Sequence, residues 1–194
     1  MQAVTHFACG AAIGAALLPP QPSERAPLAR IGLAVGLAAL GHALLDDLAR
    51  ATYHPPEPHW SDPFWLAFHL LLLPAALVVL WRFRRWWYVL AGSLVPDLDW
   101  VAGRALGLWD PGTLHALGRS VPGLAGISAW LRGVLPDLRE VPAAALHEAL
   151  LVGLLLACAF ACERSRARVG APGEDGAAAT AEAGIDGAVG PAPR

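Results

Sequence analysis

The sequence predicts an all-α polytopic membrane bundle of about five transmembrane helices, and three observations carry that expectation. Hydrophobic residues make up 56% and charged residues only 15% of the 194-residue chain, and the mean hydropathy is +0.47, too apolar for an ordinary soluble domain. The apolar residues are gathered into five runs separated by prolines or by short charged segments. Ionisable residues sit at the ends of those runs, where they need a partner, water or a metal to offset the cost of leaving bulk solvent.

The first run, about residues 5–18, is short for a span and stops at Pro19 and Pro20. No Lys or Arg precedes it, which makes MQAVTHF a poor secretory signal. Gly10 and Gly14 here, and Gly32 and Gly36 in the next run, are spaced GxxxG, a pattern that lets helix backbones approach closely in lipid. After the linker PPQPSERAPLAR the second run, 31–48, carries GHALLDD at its far end. The loop ATYHPPEPHWSD precedes the third run, 63–81, and RFRR with Trp86 and Trp87 leads into the fourth, which ends at GSLVPDLDW. Residues 101–142 mix glycine, proline and scattered arginine, which reads as short amphipathic helices and loops at the membrane interface. The fifth run, 143–162, opens with LHEALL and closes on ERSRAR. Residues 1–169 thus form the helical membrane domain, and 170–194, rich in Ala, Gly, Pro and acidic residues, are expected to be a disordered tail.

Several function classes are excluded or disfavoured. A formal charge of -2 without a large Lys/Arg block argues against a nucleic-acid partner. Three cysteines make no disulfide framework, and Cys158 and Cys162, one helical turn apart, read as buried thiols in an apolar run. No G-x-S-x-G elbow or catalytic Cys-His pattern is present.

Arg82, Arg84 and Arg85 make the turn between the third and fourth runs the best cytoplasmic anchor. Alternating outward from that turn puts the N-terminus, the His54–His59 loop and the middle segment outside. His6, His42, Asp46, the PDLD end of run four and the His147–Glu148 start of run five then fall on one, extracytoplasmic, side of what is expected to be the cell inner membrane. Histidines and carboxylates converging from several helices are the donors that hold zinc, or manganese or iron where oxygen dominates. The expected ligands are His6, His42, Asp46, Asp97 and His147, with Asp47, Asp99 or Glu148 as general base or as supports of the ligands. His69 is open between ligand and polar helix contact, His54 and His59 are expected to be solvated, and His115 shows no partner in the sequence.

THFACG, GSLVPDLDW and the H-x-x-x-D of GHALLDD resemble hallmarks of the membrane-bound metal-dependent hydrolases, a family distantly similar to the zinc-dependent phospholipase C and P1 nuclease group. The resemblance implies metal-site roles for His6, His42, Asp46, Asp97 and Asp99. The family's H-R-x-x-T-H-S stretch is absent, LHEALL being its stand-in, and the GHALLDD-like motif precedes PDLD where the familiar order is the reverse. The expected activity is hydrolysis of a phosphoester or lipid-like substrate, with membrane lipid as surroundings or substrate. The rival expectation is a scaffold or metal-ion carrier, although a carrier's internal repeat is not visible.

Overall fold

The computed structural model describes residues 1–19, 26–55, 57, 59–110 and 112–169. The expected tail and most of the first linker, with Arg25, lie outside the described residues. Seven α-helices occur among them, with no strand: α1 Ala3–Leu17, α2 Leu28–Leu48, α3 Pro63–Arg82, α4 Trp87–Gly92, α5 Thr113–Ser120, α6 Leu124–Val134 and α7 Ala145–Val169.

Three stretches are long and apolar enough to cross a membrane: Leu28–Ala51, Pro63–Arg82 and Pro142–Arg166. The first and fourth runs do not reach that length. At 15 residues α1 extends about 22 Å along its axis, against a hydrocarbon core of about 30 Å, and α4 has only 6 residues. The long helices leave large apolar side chains uncovered, among them Leu70, Leu71, Leu73 and Leu77 of α3 and Leu146, Leu150 and Leu154 of α7. Exposure of this kind is unfavourable in water and matches a lipid solvent.

Short α1 is the hub, packed against α2, α3, α4 and α7. Ala8, Ala11 and Ala15 are fully covered, and its glycines set how close the neighbours come. A Cβ at Gly14 would lie 2.9 Å from the Trp86 ring, and one at Gly10 would lie 3.3 Å from the Leu90 backbone. On the other side of α4, a Cβ at Gly92 would meet Val35 of α2 at 2.9 Å. These absent side chains let α4 wedge between α1 and α2. Gly32 and Gly36 differ from that expectation, since no atom of the described residues lies within 4 Å of where their Cβ atoms would be.

Local chemistry explains the breaks between helices. Asp62 caps α3 by accepting from Phe64 N at 2.8 Å, with Pro63 at the first helical position, where its missing N–H costs nothing. Beyond α4, Pro96 lacks an N–H and the chain tightens into a 3₁₀ turn, Val95–Asp97, followed by a π-helical stretch, Asp99–Ala105. As expected for residues 101–142, α5 and α6 are short and amphipathic, and both pack on α2.

The bundle's two ends differ chemically. At one, Arg82 donates to Glu163 at 2.7 Å, Arg85 hydrogen-bonds the same carboxylate, and Arg166 donates to Leu18 O at 2.7 Å. The arginine thus satisfies a carbonyl left over at the end of α1. At the other end lie the start of α1, the end of α2, the Val95–Asp97 turn and α5.

Candidate metal centre

Each donor is placed by a different feature of the fold. His6 sits one turn into α1, and His42 and Asp46 share a face of α2 because they are four residues apart. Asp97 closes the 3₁₀ turn that Pro96 imposes, and α5 folds back over that turn to bring in His115. His42 Nε2 lies 3.3 Å from Asp46 Oδ2 and 3.4 Å from Asp97 Oδ1. His115 Nε2 lies 3.3 Å from Asp46 Oδ2 and 4.0 Å from Asp97 Oδ1, and His6 Nε2 lies 3.7 Å from Asp46 Oδ1. Tetrahedral ligands at about 2.1 Å from an ion sit about 3.4 Å from one another, so these separations match those around a single cation.

Two overlapping donor groups result, His6–His42–Asp46 and His42–Asp97–His115, in each of which the donor atoms lie within 4.8 Å of one another. The His6 and His42 rings stack with centroids 3.8 Å apart, and both residues are fully buried. Yet among the described residues both nitrogens of His6 and Nε2 of His42 lack a hydrogen-bond partner. Buried polar atoms left unsatisfied are costly, and a cation held between the Nε2 atoms of His6 and His42 and the carboxylates of Asp46 and Asp97 would offset that cost.

The far nitrogens of two histidines are held in the way ligands require. Asp97 N bonds Leu94 O, which leaves Ser93 O, at the end of α4, to His42 Nδ1 at 2.7 Å. His115 Nδ1 lies 2.9 Å from Asp99 Oδ2. With an N–H on Nδ1 in each ring, the Nε2 lone pairs face the centre. Asp99 is itself immobilised by Trp109 Nε1 at 2.9 Å, Leu114 N at 3.1 Å and His115 N at 3.0 Å. Burial alone would raise the pKa of Asp99, but the His115, Trp109 and backbone donors outweigh it and hold the carboxyl well below its usual range. The hydrogen bond to Asp46, opposed by burial and helped by Asp99, raises His115. Burial raises Asp97, with the His42 and Asp46 charges acting in opposite senses.

The structure therefore brings together His6, His42, Asp46 and Asp97 of the five expected ligands. His147 is elsewhere: it is exposed, with Nδ1 2.7 Å from Ala51 O. One residue on, Glu148 turns inward, accepting from Thr5 Oγ1 at 2.6 Å and Gln2 N at 3.1 Å through Oε1, while its buried Oε2 has no partner. Asp47 is buried between α2 and α6, bound by the Ser128 hydroxyl and by Arg132 at 3.0 Å. Asp99 supports His115. Of the three expected bases, Asp47 and Asp99 are thus occupied in holding other groups. His69 stacks on Trp65 and lies 3.0 Å from Gln2 Nε2, outside both donor groups. His54, expected to be solvated, lies 3.2 Å from the same amide, and burial pulls its pKa down to about 4.

His115 is the residue the sequence reading missed. Its signal was indirect: a histidine on an amphipathic segment shortly after PDLDW, able to fold back over it. The donors open into a cavity of about 590 Å³ whose lining includes Asp46, Asp97, His115, Arg50, Arg119 and Trp100. No family model matches the chain, and no curated protein or solved structure matches it.

Proposed function

We propose that this chain is an integral membrane, metal-dependent hydrolase acting on a phosphoester or lipid-like substrate. The observation that carries the reading is the convergence of His42, Asp46, Asp97 and His115 at a cavity, with the far nitrogens of both histidines already anchored. His6, unpartnered beside Asp46, is the fifth donor. Two imidazoles with two carboxylates suit zinc, with manganese or iron as the alternatives. A divalent ion held there would bring the pKa of a bound water toward neutrality and polarise a phosphoryl oxygen.

The chain's own residues divide the remaining work. Asp97 is the most exposed of the donors at 39% and lines the cavity, so the ion it helps hold would be reached by substrate from that side. Asp99 fixes the orientation of His115, and Ser93 O that of His42. The short α1 and α4 pack inside the bundle alongside the three helices long enough to cross a membrane. Arg82, Arg84 and Arg85 support a reading in which that end faces the cytoplasm of a cell inner membrane and the site opens on the extracytoplasmic side.

Hydrolysis of bis-(4-nitrophenyl) phosphate by the zinc-loaded protein in detergent tests the reading. Turnover lost on chelation and in Asp97→Ala supports it; equal turnover in wild type and Asp97→Ala contradicts it. The non-enzymatic scaffold reading draws on the Asp47–Ser128–Arg132 and Thr5–Glu148 contacts, which tie α2 to α6 and α1 to α7. It predicts loss of thermal stability in those variants, with no metal bound to the parent protein.

A further inference from the structure

Arg50, Arg119 and Arg139 line the cavity beside the metal donors, Arg132 lies against Asp47, and the four are not equivalent. Arg139 is committed to Asp137, with contacts of 2.8 and 2.7 Å, and Arg132 is committed to Asp47 at 3.0 Å. Among the described residues, Arg50 and Arg119 have no comparable partner. The carboxylate near Arg50 among the described residues is that of Asp137, 3.8 Å from Nη2, and the one near Arg119 is that of Asp47, 3.9 Å from Nε. Both of those carboxylates are already taken by Arg139 and Arg132. The Nε atoms of Arg50 and Arg119 are buried without a hydrogen bond, and both side chains line the cavity that holds Asp46, Asp97 and His115.

The backbone holds these two arginines where they are. Arg50 lies in the 3₁₀ turn that continues α2 directly beyond Asp46, and its carbonyl accepts from Leu138 N at 2.6 Å. Arg119 is four residues after His115 on α5, on the same helix face as that histidine. Each guanidinium is therefore tied through its own element to one of the metal donors. A guanidinium offers planar paired N–H donors that match phosphate oxygens, and it keeps its charge at any working pH.

We infer that Arg50 and Arg119 form an anion clamp beside the metal centre, which receives the non-bridging oxygens of a phosphoryl group and restricts the substrate to anionic phosphoesters. The inference rests on the hydrolase reading and names the substrate class within it. A neutral carboxyl ester or amide would leave both guanidiniums idle. The phosphoryl group can come from a soluble ester or from a lipid headgroup, and the exposed Trp100 at the cavity lining, 55% accessible, is of the side-chain type enriched at membrane interfaces.

Binding of inorganic phosphate to the full chain in phosphatidylcholine nanodiscs, with and without zinc, tests the clamp. Wild type should bind phosphate, Arg50→Gln/Arg119→Gln should bind it about tenfold or more weakly, as loss of charge-assisted hydrogen bonds implies, and Arg84→Gln at the opposite end should match wild type. In the wild-type protein, phosphate should also protect Arg50 and Arg119, but not Arg84, from phenylglyoxal, a measurement that stands even if the double variant does not fold. Equal phosphate affinity in wild type and a folded double variant, or absence of protection in wild type, overturns the clamp. Nanodiscs containing phosphatidic acid assign the source: competition with inorganic phosphate supports a lipid headgroup in the clamp, and its absence supports a soluble phosphoester. Arginine-dependent phosphate binding in a protein that takes up no metal would sink the hydrolase reading and leave the clamp. Metal-dependent hydrolysis of a neutral ester, with no arginine-dependent phosphate binding, would do the opposite.

Discussion

Asp99 shows most clearly how a single side chain prepares the centre without touching it. Its two oxygens accept from four donors on Trp109, Leu114 and His115, and Asn in its place offers one acceptor oxygen and an NH₂ that cannot accept. Asp99→Asn should therefore destabilise the chain by about 1–3 kcal/mol and weaken metal binding by about 10–100-fold, read by thermal unfolding and metal titration. In the metal-free protein the pH dependence has two limbs. The depressed pKa of Asp99 means that its stabilising effect is present above its unfolded value of about 3.9 and is lost as acid titrates the folded group. The raised pKa of His115 means that its effect is complete below about 6.5 and is lost as pH rises through the folded value. Melting temperatures in chelator should thus fall on both sides of a mildly acidic maximum; a melting temperature that climbs steadily from pH 5 to pH 9 contradicts the assignment. Residue identity in the sequence exposed part of this centre and hid the rest. His42 and Asp46 were legible because four-residue spacing on an apolar helix fixes a shared face. His147 was misplaced because LHEALL does not say which of two adjacent helical positions faces inward, and about 100° of rotation separates them. Glu148 took the inward position.

At the scale of elements, the sequence announced the long helices and concealed the short ones. Pro63, the Asp62 cap and Arg82 bound α3 as the pattern predicts. The fourth run resembles a span because WWYVLAGSLV is largely apolar, but one face of α4 is apolar because it packs on α1 and α2: Val89 and Leu90 are fully buried, while Trp87 is exposed. Apolar composition alone does not separate a helix facing lipid from one facing protein. The same limit applies to GxxxG, which Gly10 and Gly14 use within the chain while Gly32 and Gly36 do not. Gly14→Val should drive the new side chain into the Trp86 ring and cost about 1–3 kcal/mol, the usual penalty of overpacking. Gly36→Ala meets nothing and gains helix propensity. Thermal unfolding in detergent checks the contrast, and equal melting temperatures for the two variants would contradict the wedge of α4 between α1 and α2.

Across the whole molecule, the bundle separates two kinds of chemistry by its length. Glu163 with Arg82 and Arg85 closes one end, and the histidine and aspartate donors occupy the other. If basic segments face the cytoplasm, single cysteines introduced near Gln2 and Ala102 should react with a membrane-impermeant maleimide from outside the cell, and one at Arg84 should not. Opposite labelling of Gln2 and Ala102 would break the common site, since His6 and Asp97 could not then share one membrane face. His6, His42, Asp46 and Asp97 stand out in the sequence as ionisable residues at the ends of apolar runs, whereas the closure of α5 over PDLD, which delivers His115, depends on contacts between residues far apart in the chain that no local pattern encodes.

The central claim is that His42, Asp46, Asp97 and His115 hold a divalent cation, and metal content of the detergent-purified protein tests it most directly. Wild type and His147→Ala should each carry about one ion per chain, because the donor separations match those around one cation, and His42→Ala, Asp97→Ala and His115→Ala should each carry far less while still folding. A wild-type protein that takes up no zinc, manganese or iron, or a His115→Ala variant that keeps its ion while His147→Ala loses it, would contradict the account.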